Sequence, residues 1–468
     1  MVQKKLHTCL FDMSTVSHVF HGLWRHPRNN RHRFNEMAFW TELATLAEQG
    51  LMDMVFMADV CGIYDYFRDS DDVALSEAMQ IPTNEPMLLI SAMAAVTKHV
   101  GFGVTFSTTY EHPFSFARRM STLDHITEGR IGWNIVTSYL RNAAASFGLD
   151  QEIEHDRRYE LADEFATVAY KLWEGSWGDD AVVRDVAKSI YIDPAKVRRI
   201  NHVGARYKVA GPHLCEPSPQ RTPLLIQATG SGAGLAFAAR HAELLFTVGR
   251  TPEAARAAII GAKKSLAEVG RDPNSVKFVI PACVIVAKTQ EVAEAKYNEL
   301  RNMGRVEGYL AHLQSGVDLT QYPLDTPIAA ITAEKPHGWH TVPIIAGDAK
   351  TVGEAIQWLK SFNIGSLLTV GTPQSVADDI EFWMDECGVD GINLVQQLSF
   401  DTLTDFVELV VPELQRRGRY RTEYVPGETL RERFFGAGRR RLPESHFAAR
   451  FRDPSNLKNP PEPFRYLG

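Results

Sequence analysis

Cysteine is scarce: five in 468 residues, at 9, 61, 215, 283 and 387, an odd number with no C-x-x-C pair and no His/Cys metal spacing. A chain of this length needs no disulfide staples, so a cystine framework and a structural zinc module are excluded, and no metal is expected. Excess positive charge is also lacking, with 50 Lys and Arg against 57 Asp and Glu and a formal charge of −7. Without a basic field to gather phosphate backbones, nucleic acid is not expected as a partner. Nowhere do 18 apolar residues follow one another, and the apolar run after Lys4 and Lys5 is broken by Asp12. Neither a membrane span nor a secretory signal is read, and a reducing cytoplasm is the expected location. The Walker G-x-x-x-x-G-K-[ST], the nucleophile elbow G-x-S-x-G, H-E-x-x-H and a strand-following G-x-G-x-x-G are all missing. Any chemistry therefore has to come from something bound.

What is present is an average globular composition, 44% hydrophobic, 10% aromatic and 23% charged. Short β-rich runs at 6–11, 53–58, 100–106, 130–137, 223–228, 243–248, 276–286 and 391–396 alternate with helix-period segments such as Phe116, Met120, Leu123 and Ile126. Eight strands with intervening helices predict an α/β fold, a (β/α)8 TIM barrel. An open doubly wound sheet would need glycines after the first strand, where the chain reads FDMSTVSHVFHGLW. A barrel takes roughly 250 residues. The surplus predicts a barrel over 1–417 with insertions at 60–85, 176–222 and 304–350, and a C-terminal extension over 418–468. Its arginines, Arg439 to Arg441 among them, read as a solvated or subunit-wrapping tail, with an anion-binding patch as the rival reading.

Polar residues collect where strands end, which in a barrel is the mouth. Ser14, Thr15, His18 and His21 follow strand one and Asp59 ends strand two; Thr105 and Ser107 lie on strand three. Asn134 sits in mid-strand four with Thr137, Ser138 and Tyr139 at its end. His155 and Tyr159 are four apart and share a helix face. Helix caps, surface histidines and core packing remain open for each of these. PLLIQATGSGAGLAFAARH (223–241) reads as strand, glycine-rich turn and helix, either a phosphate cradle or an ordinary tight turn.

FDMSTVSHVFHGLWRHP, GFGVTFSTTYEHPFSFARRMSTLDHITEGRIGWNIVTS, HDRRYELADEF, EPSPQRTPLLIQATGSG and VVPELQRRGRYRTEY resemble the bacterial-luciferase-like flavin monooxygenases. The resemblance runs from about residue 5 to 430, within the subgroup of nitrilotriacetate component A, dibenzothiophene-sulfone, dimethyl-sulfide and long-chain alkane monooxygenases. It implies an enzyme that uses reduced FMN and O2, with a separate NAD(P)H:flavin reductase as partner and a homodimeric or homotetrameric assembly. Carried over by motif, the FMN contacts are Asp59, Thr105, Asn134, Ser138, Tyr139, His155, Tyr159 and the turn Ala228, Thr229, Gly230 and Ser231. His18, Tyr64, Gln80 and His312 are the implied catalytic group. The two histidines are expected to donate and accept protons near neutrality because imidazole titrates near pH 6.5. Alkane members carry cysteine at the place of Thr15 and histidine at the place of Tyr139.

A water-excluding site predicts a pocket between the flavin and the insertions 60–85 and 304–350, lined by Trp24, Tyr64 and Phe106. Of the mouth segments 12–26, 59–67 and 105–112, only the first carries a Lys or Arg, Arg25. The expected substrate is therefore a small or linear apolar compound of alkane, sulfide or sulfone type. The same fold and flavin could instead cleave a heterocycle such as riboflavin, or bind flavin without catalysis; His18, His155 and His312 argue against the last.

Overall fold

The structure is a computed structural model in which residues 4–334, 346–362 and 367–458 are described. Nine parallel strands form its central sheet: β1 His7–Met13, β2 Met54–Ala58, β3 Gly101–Ser107, β4 Ile131–Val136, β5 Leu224–Ala228, β6 Leu244–Phe246, β7 Lys277–Val286, β8 Leu367–Gly371 and β9 Gly391–Val395. β1 pairs with β2 and β9, and β7 with β6 and β9, so eight strands close into a barrel and leave no edge within it. These are the eight expected from sequence. The ninth, β8, was not expected; among the described residues it pairs only with Ala282–Val286, the upper half of the ten-residue β7, whose lower half serves β9.

Both faces of the strands are covered, which is why they read as apolar runs rather than alternating ones. Leu10, Val55, Phe102, Val104, Trp133 and Leu225 face the helices. Met54, Phe56, Leu224, Ile226, Phe246 and Val279 fill the barrel. Each such buried side chain contributes roughly 1.5–3 kcal/mol. Glycine is required where this interior is tightest, since a Cβ on Gly103 would lie 3.0 Å from the Phe56 ring and 3.1 Å from Ile226. Two residues beyond Gly103 and Gly132, on the same strand face, stand Thr105 and Asn134. The strand period thus carries them from the packed interior to the mouth.

The helix Pro113–Ile126 starts with proline in its first turn and with the His112 side chain accepting from the Phe114 N–H. Its apolar stripe buries Phe116, Met120 and Leu123, but Ile126 is 51% exposed. Insertions 60–85 and 304–350 pack on each other, with Tyr64, Phe67 and Met79 against Tyr309, Leu310 and Leu319 in a separate small core. Residues 335–345 of the second insertion lie outside the described residues.

The expectation of a solvated tail is corrected over its described part, 418–458. Leu430 and Phe434 join the inner barrel cluster beside Met54 and Leu224. Arg431, 1% exposed, donates from Nε to Glu243 at 2.7 Å and from Nη2 to the Thr222 and Pro223 carbonyls. The open N-terminal end of the barrel is apolar and needs a cover, and the sparse hydrophobic residues among the arginines provide it. Residues 459–468 of the extension lie outside the described residues.

Candidate active site

Two cavities share the barrel mouth. One, of about 280 Å³, lies over the C-terminal ends of β2 to β5 and is lined by Asp59, Thr105, Ser138, Tyr139, His155 and Tyr159, with Ala228 at its rim. Asn134 does not line it but supports it, donating from Nδ2 to Thr105 Oγ1 at 2.9 Å. Asn134 Oδ1 and Gln227 Oε1 are buried with no hydrogen-bond partner among the described residues, two acceptors in want of donors. Ser138 is held at φ +58°, with its Oγ 2.8 Å from Ser107 Oγ. Such a backbone strain is maintained by its surroundings and clusters at ligand sites.

Beyond Ala228 the turn Thr229, Gly230 and Ser231 leads into the helix Gly232–His241, which Ser231 caps by accepting from the Gly234 N–H at 3.1 Å. The point that a Cβ on Gly234 would occupy lies 1.8 Å from Thr229 Oγ1, 2.8 Å from Tyr159 OH and 2.9 Å from Ser231 Oγ. Three hydroxyls therefore converge on a helix N-terminus, a cradle for an anion that any side chain at Gly234 would fill. Burial, with Glu85 nearby and against the opposing Val60 N–H, pushes the Asp59 carboxyl up to about 7.

The second cavity, about 410 Å³, is lined by Phe11, Val19, Phe20, Cys283, Phe362 and Val395, with His312, Gln314, Tyr309 and Tyr139 as polar groups. Among the described residues no Asp, Glu, Lys or Arg lines it. Tyr139 lines both cavities and forms the wall between them. Behind it the residues implied by resemblance meet. The Tyr64 hydroxyl contacts that of Tyr139 and donates to Gln80 Oε1 at 3.2 Å, and Gln80 Nε2 stands 3.3 Å from His312 Nε2. His18 is one ring removed, edge-on to Phe11 at 4.4 Å.

Several expectations need correction. Trp24 is 42% exposed and donates to Glu77, and Phe106 stacks on Phe116 on the helix side of β3, so neither lines the pocket. Tyr64 is buried behind the wall rather than in it. Burial lowers His312 to about 4 and holds His18 well below the ordinary imidazole value, so both rings are neutral at pH 7. Thr15, where alkane members carry cysteine, is fully buried and donates to the Pro82 carbonyl at 2.8 Å. Sequence reasoning missed Gln227 and Arg158 on the first cavity and gave Ser107 and His21 no role, although Ser107 shares the strand face of Thr105 and His21 stands three residues from His18.

Comparison with known proteins agrees with this geometry. The family model for luciferase-like monooxygenases matches residues 14–391. The chain is 50% identical over 455 residues to the long-chain alkane monooxygenase of Geobacillus thermodenitrificans, covering 97% of this chain and 99% of that one. It is 44% identical over 456 residues to the dimethyl-sulfide monooxygenase of Hyphomicrobium sulfonivorans (97% and 95%) and 36% identical over 426 residues to nitrilotriacetate monooxygenase component A of Aminobacter aminovorans (89% and 94%). A crystal structure of a long-chain alkane monooxygenase superposes with a TM-score of 0.89 at 50% identity, covering 96% of this chain and 100% of the other. With the fold, the paired cavities and these matches in agreement, the chain belongs to the luciferase-like monooxygenase family and is an oxidoreductase of that kind.

Proposed function

We propose that the chain is the oxygenase of a two-component system, taking reduced FMN from a separate NAD(P)H:flavin reductase and using O2 to oxygenate a small or linear apolar compound of alkane, sulfide or sulfone type. The observation that carries this reading is the uncharged cavity of about 410 Å³, which shares Tyr139 with the cavity over the ends of β2 to β5. An unpaired charge would draw water into such a cavity, and a polycarboxylate would need cations that its lining lacks. Reduced FMN, when bound, supplies the electrons that split O2 between substrate and water.

The residues present fit that cofactor. Thr229, Ser231 and Tyr159, with the helix N-terminus, answer the phosphate, and the orphaned Asn134 Oδ1 and Gln227 Oε1 answer the N–H groups of an isoalloxazine edge. Thr105, Asp59 and Ser138 would hold the ring over the mouth. The two insertions, packed on each other in a shared core, would help to keep water from the mouth. His312, neutral and lining the apolar cavity, would offer an imidazole nitrogen there as a hydrogen-bond acceptor. The lack of a dinucleotide fingerprint and the similarity to a protein named as component A support a separate reductase. A cytoplasmic homodimer or homotetramer completes the proposal, with light scattering as its check.

The test is product analysis after mixing the purified protein with photoreduced FMN, O2 and, in parallel, hexadecane, dimethyl sulfide, dibenzothiophene sulfone, nitrilotriacetate and riboflavin. Oxygenation of one of the first three is expected. Fastest conversion of nitrilotriacetate would overturn the apolar-pocket reading, and cleavage of riboflavin alone would turn the assignment to heterocycle cleavage.

A further inference from the structure

His21, at the end of the loop that follows β1, is fully buried, and its Nε2 stands 2.9 Å from Nδ1 of His312. The direction of that hydrogen bond follows from the groups around it. Gln80 Nε2 lies 2.9 Å from the His18 carbonyl oxygen, a contact only the amide nitrogen can make favourably, so this end of Gln80 is the donor. Its Oε1 accordingly accepts from Tyr64 OH at 3.2 Å. Since Gln80 Nε2 also faces His312 Nε2 at 3.3 Å, the latter has to be an unprotonated acceptor. Neutral His312 then carries its proton on Nδ1 and donates it to His21 Nε2, which is bare in turn. His21 keeps its own proton on Nδ1, a buried atom with no partner among the described residues. The opposite arrangement would set two N–H donors head to head at Gln80. The Tyr64 proton being used on Gln80, Tyr64 accepts from Tyr139.

We propose that His21 is a positioning residue for the monooxygenase reaction: by accepting the Nδ1 proton of His312 it holds that ring in the tautomer whose Nε2 is a free base beside Gln80 and the tyrosine wall. The proposal rests on the reading of His312 as a catalytic group. The bond from Gln80 to Nε2, at 3.3 Å, is long, so a reacting hydroxyl replaces it at little cost. Without His21 the Nδ1 proton would be buried and unpaired, and the ring would gain by moving its proton to Nε2 or by turning.

The experiment is 15N NMR of the full-length protein labelled in histidine, with His312 identified by the signals lost in H312F, alongside turnover with photoreduced FMN and the fastest substrate among hexadecane, dimethyl sulfide and dibenzothiophene sulfone. At pH 7 the wild type should show His312 protonated at Nδ1 and bare at Nε2. In H21F that pattern should be lost and turnover fall roughly tenfold or more, with FMN affinity retained. H21Q, whose Oε1 takes the place of the imidazole Nε2, should restore the pattern and at least about a third of the rate. A His312 protonated at Nε2 in the wild type, or wild-type turnover in H21F, overturns the proposal. Should H21F fail to fold, the wild-type spectrum and H21Q decide. H312F keeps the two readings apart: turnover lost in H312F but kept in H21F overturns only the role of His21, whereas turnover kept in both removes His312 from the catalysis as well.

Discussion

At the scale of single residues, the site is built from groups whose ordinary behaviour is altered by where the fold puts them. Gly230 has no heavy atom within 4 Å of the position its Cβ would take, so a side chain fits there without disturbing the turn. Gly230→Asp should therefore leave the fold intact and weaken FMN binding by more than about tenfold, roughly 1.4 kcal/mol, because a carboxylate brings the wrong sign to an anion cradle. Fluorescence titration with FMN checks this, and unchanged affinity would remove the turn from the binding site. Asp59 makes a prediction about stability. Its carboxyl is raised to about 7 in the folded chain against 3.8 for the free group, so the native state holds that proton where the unfolded chain has lost it. Its contribution is fully present below pH 4 and is lost as pH rises through 7. Asp59→Asn should accordingly raise the melting temperature relative to wild type at pH 8, with the gain shrinking toward pH 4. A pH-independent difference would show that the carboxyl titrates normally.

Among the elements, the C-terminal extension departs most from its appearance in the sequence. Arg431 spans the junction between tail and barrel, tying Glu243 and the 222–223 carbonyls to the helix Leu430–Phe435. Arg431→Ala would leave Glu243, 3% exposed, without its guanidinium. Breaking a buried pair by removing one partner costs roughly 3–5 kcal/mol. Urea unfolding should show that loss, and a change under about 1 kcal/mol would mean the tail is not part of the cooperative unit. The β8 strand is instructive for the opposite reason. Its five residues alternate between buried and half-buried positions, and it pairs with the upper half of β7. A run so short between an insertion and a helix carries little local signal; the length of β7 decides that there is room for it.

For the whole molecule, the buried histidines set the response to acid. His18, His21, His213, His312 and His446 are all lowered by burial, His213 and His312 to about 4. Between pH 4 and 6.5 the unfolded chain binds protons that the native one refuses, so stability falls as pH falls through that window. Asp12, Asp59 and Asp124, raised by burial, oppose the trend but are fewer. The urea midpoint should be lower at pH 5 than at pH 7.5, and an equal or higher value at pH 5 would contradict the burial of these rings. The division of labour between oxygenase and reductase also belongs to this scale. NADH alone should support no substrate oxidation, because no dinucleotide fingerprint is present, while an added flavin reductase or photoreduced FMN should start it. Steady NADH oxidation by the purified chain would count against the two-component reading.

The amino-acid sequence was sufficient for whatever depends on near neighbours along the chain. The eight barrel strands, the strand, turn and helix around Gly230, and the placing of Asp59, Thr105 and Ser138 at strand ends follow from periods of two and 3.6 residues and from turn chemistry, all of them local. Tertiary structure decided what depends on closure. It set His21 against His312 across 291 positions, Tyr64 against Tyr139 across 75, and a buried arginine of the tail against Glu243 across 188. It also turned Phe106 to the helices and put Trp24 in solvent, although both sit in mouth segments. Periodicity says which face of an element is apolar, but the partner that covers that face, and the protonation state of a histidine once it is covered, are settled only when the barrel closes and water is excluded.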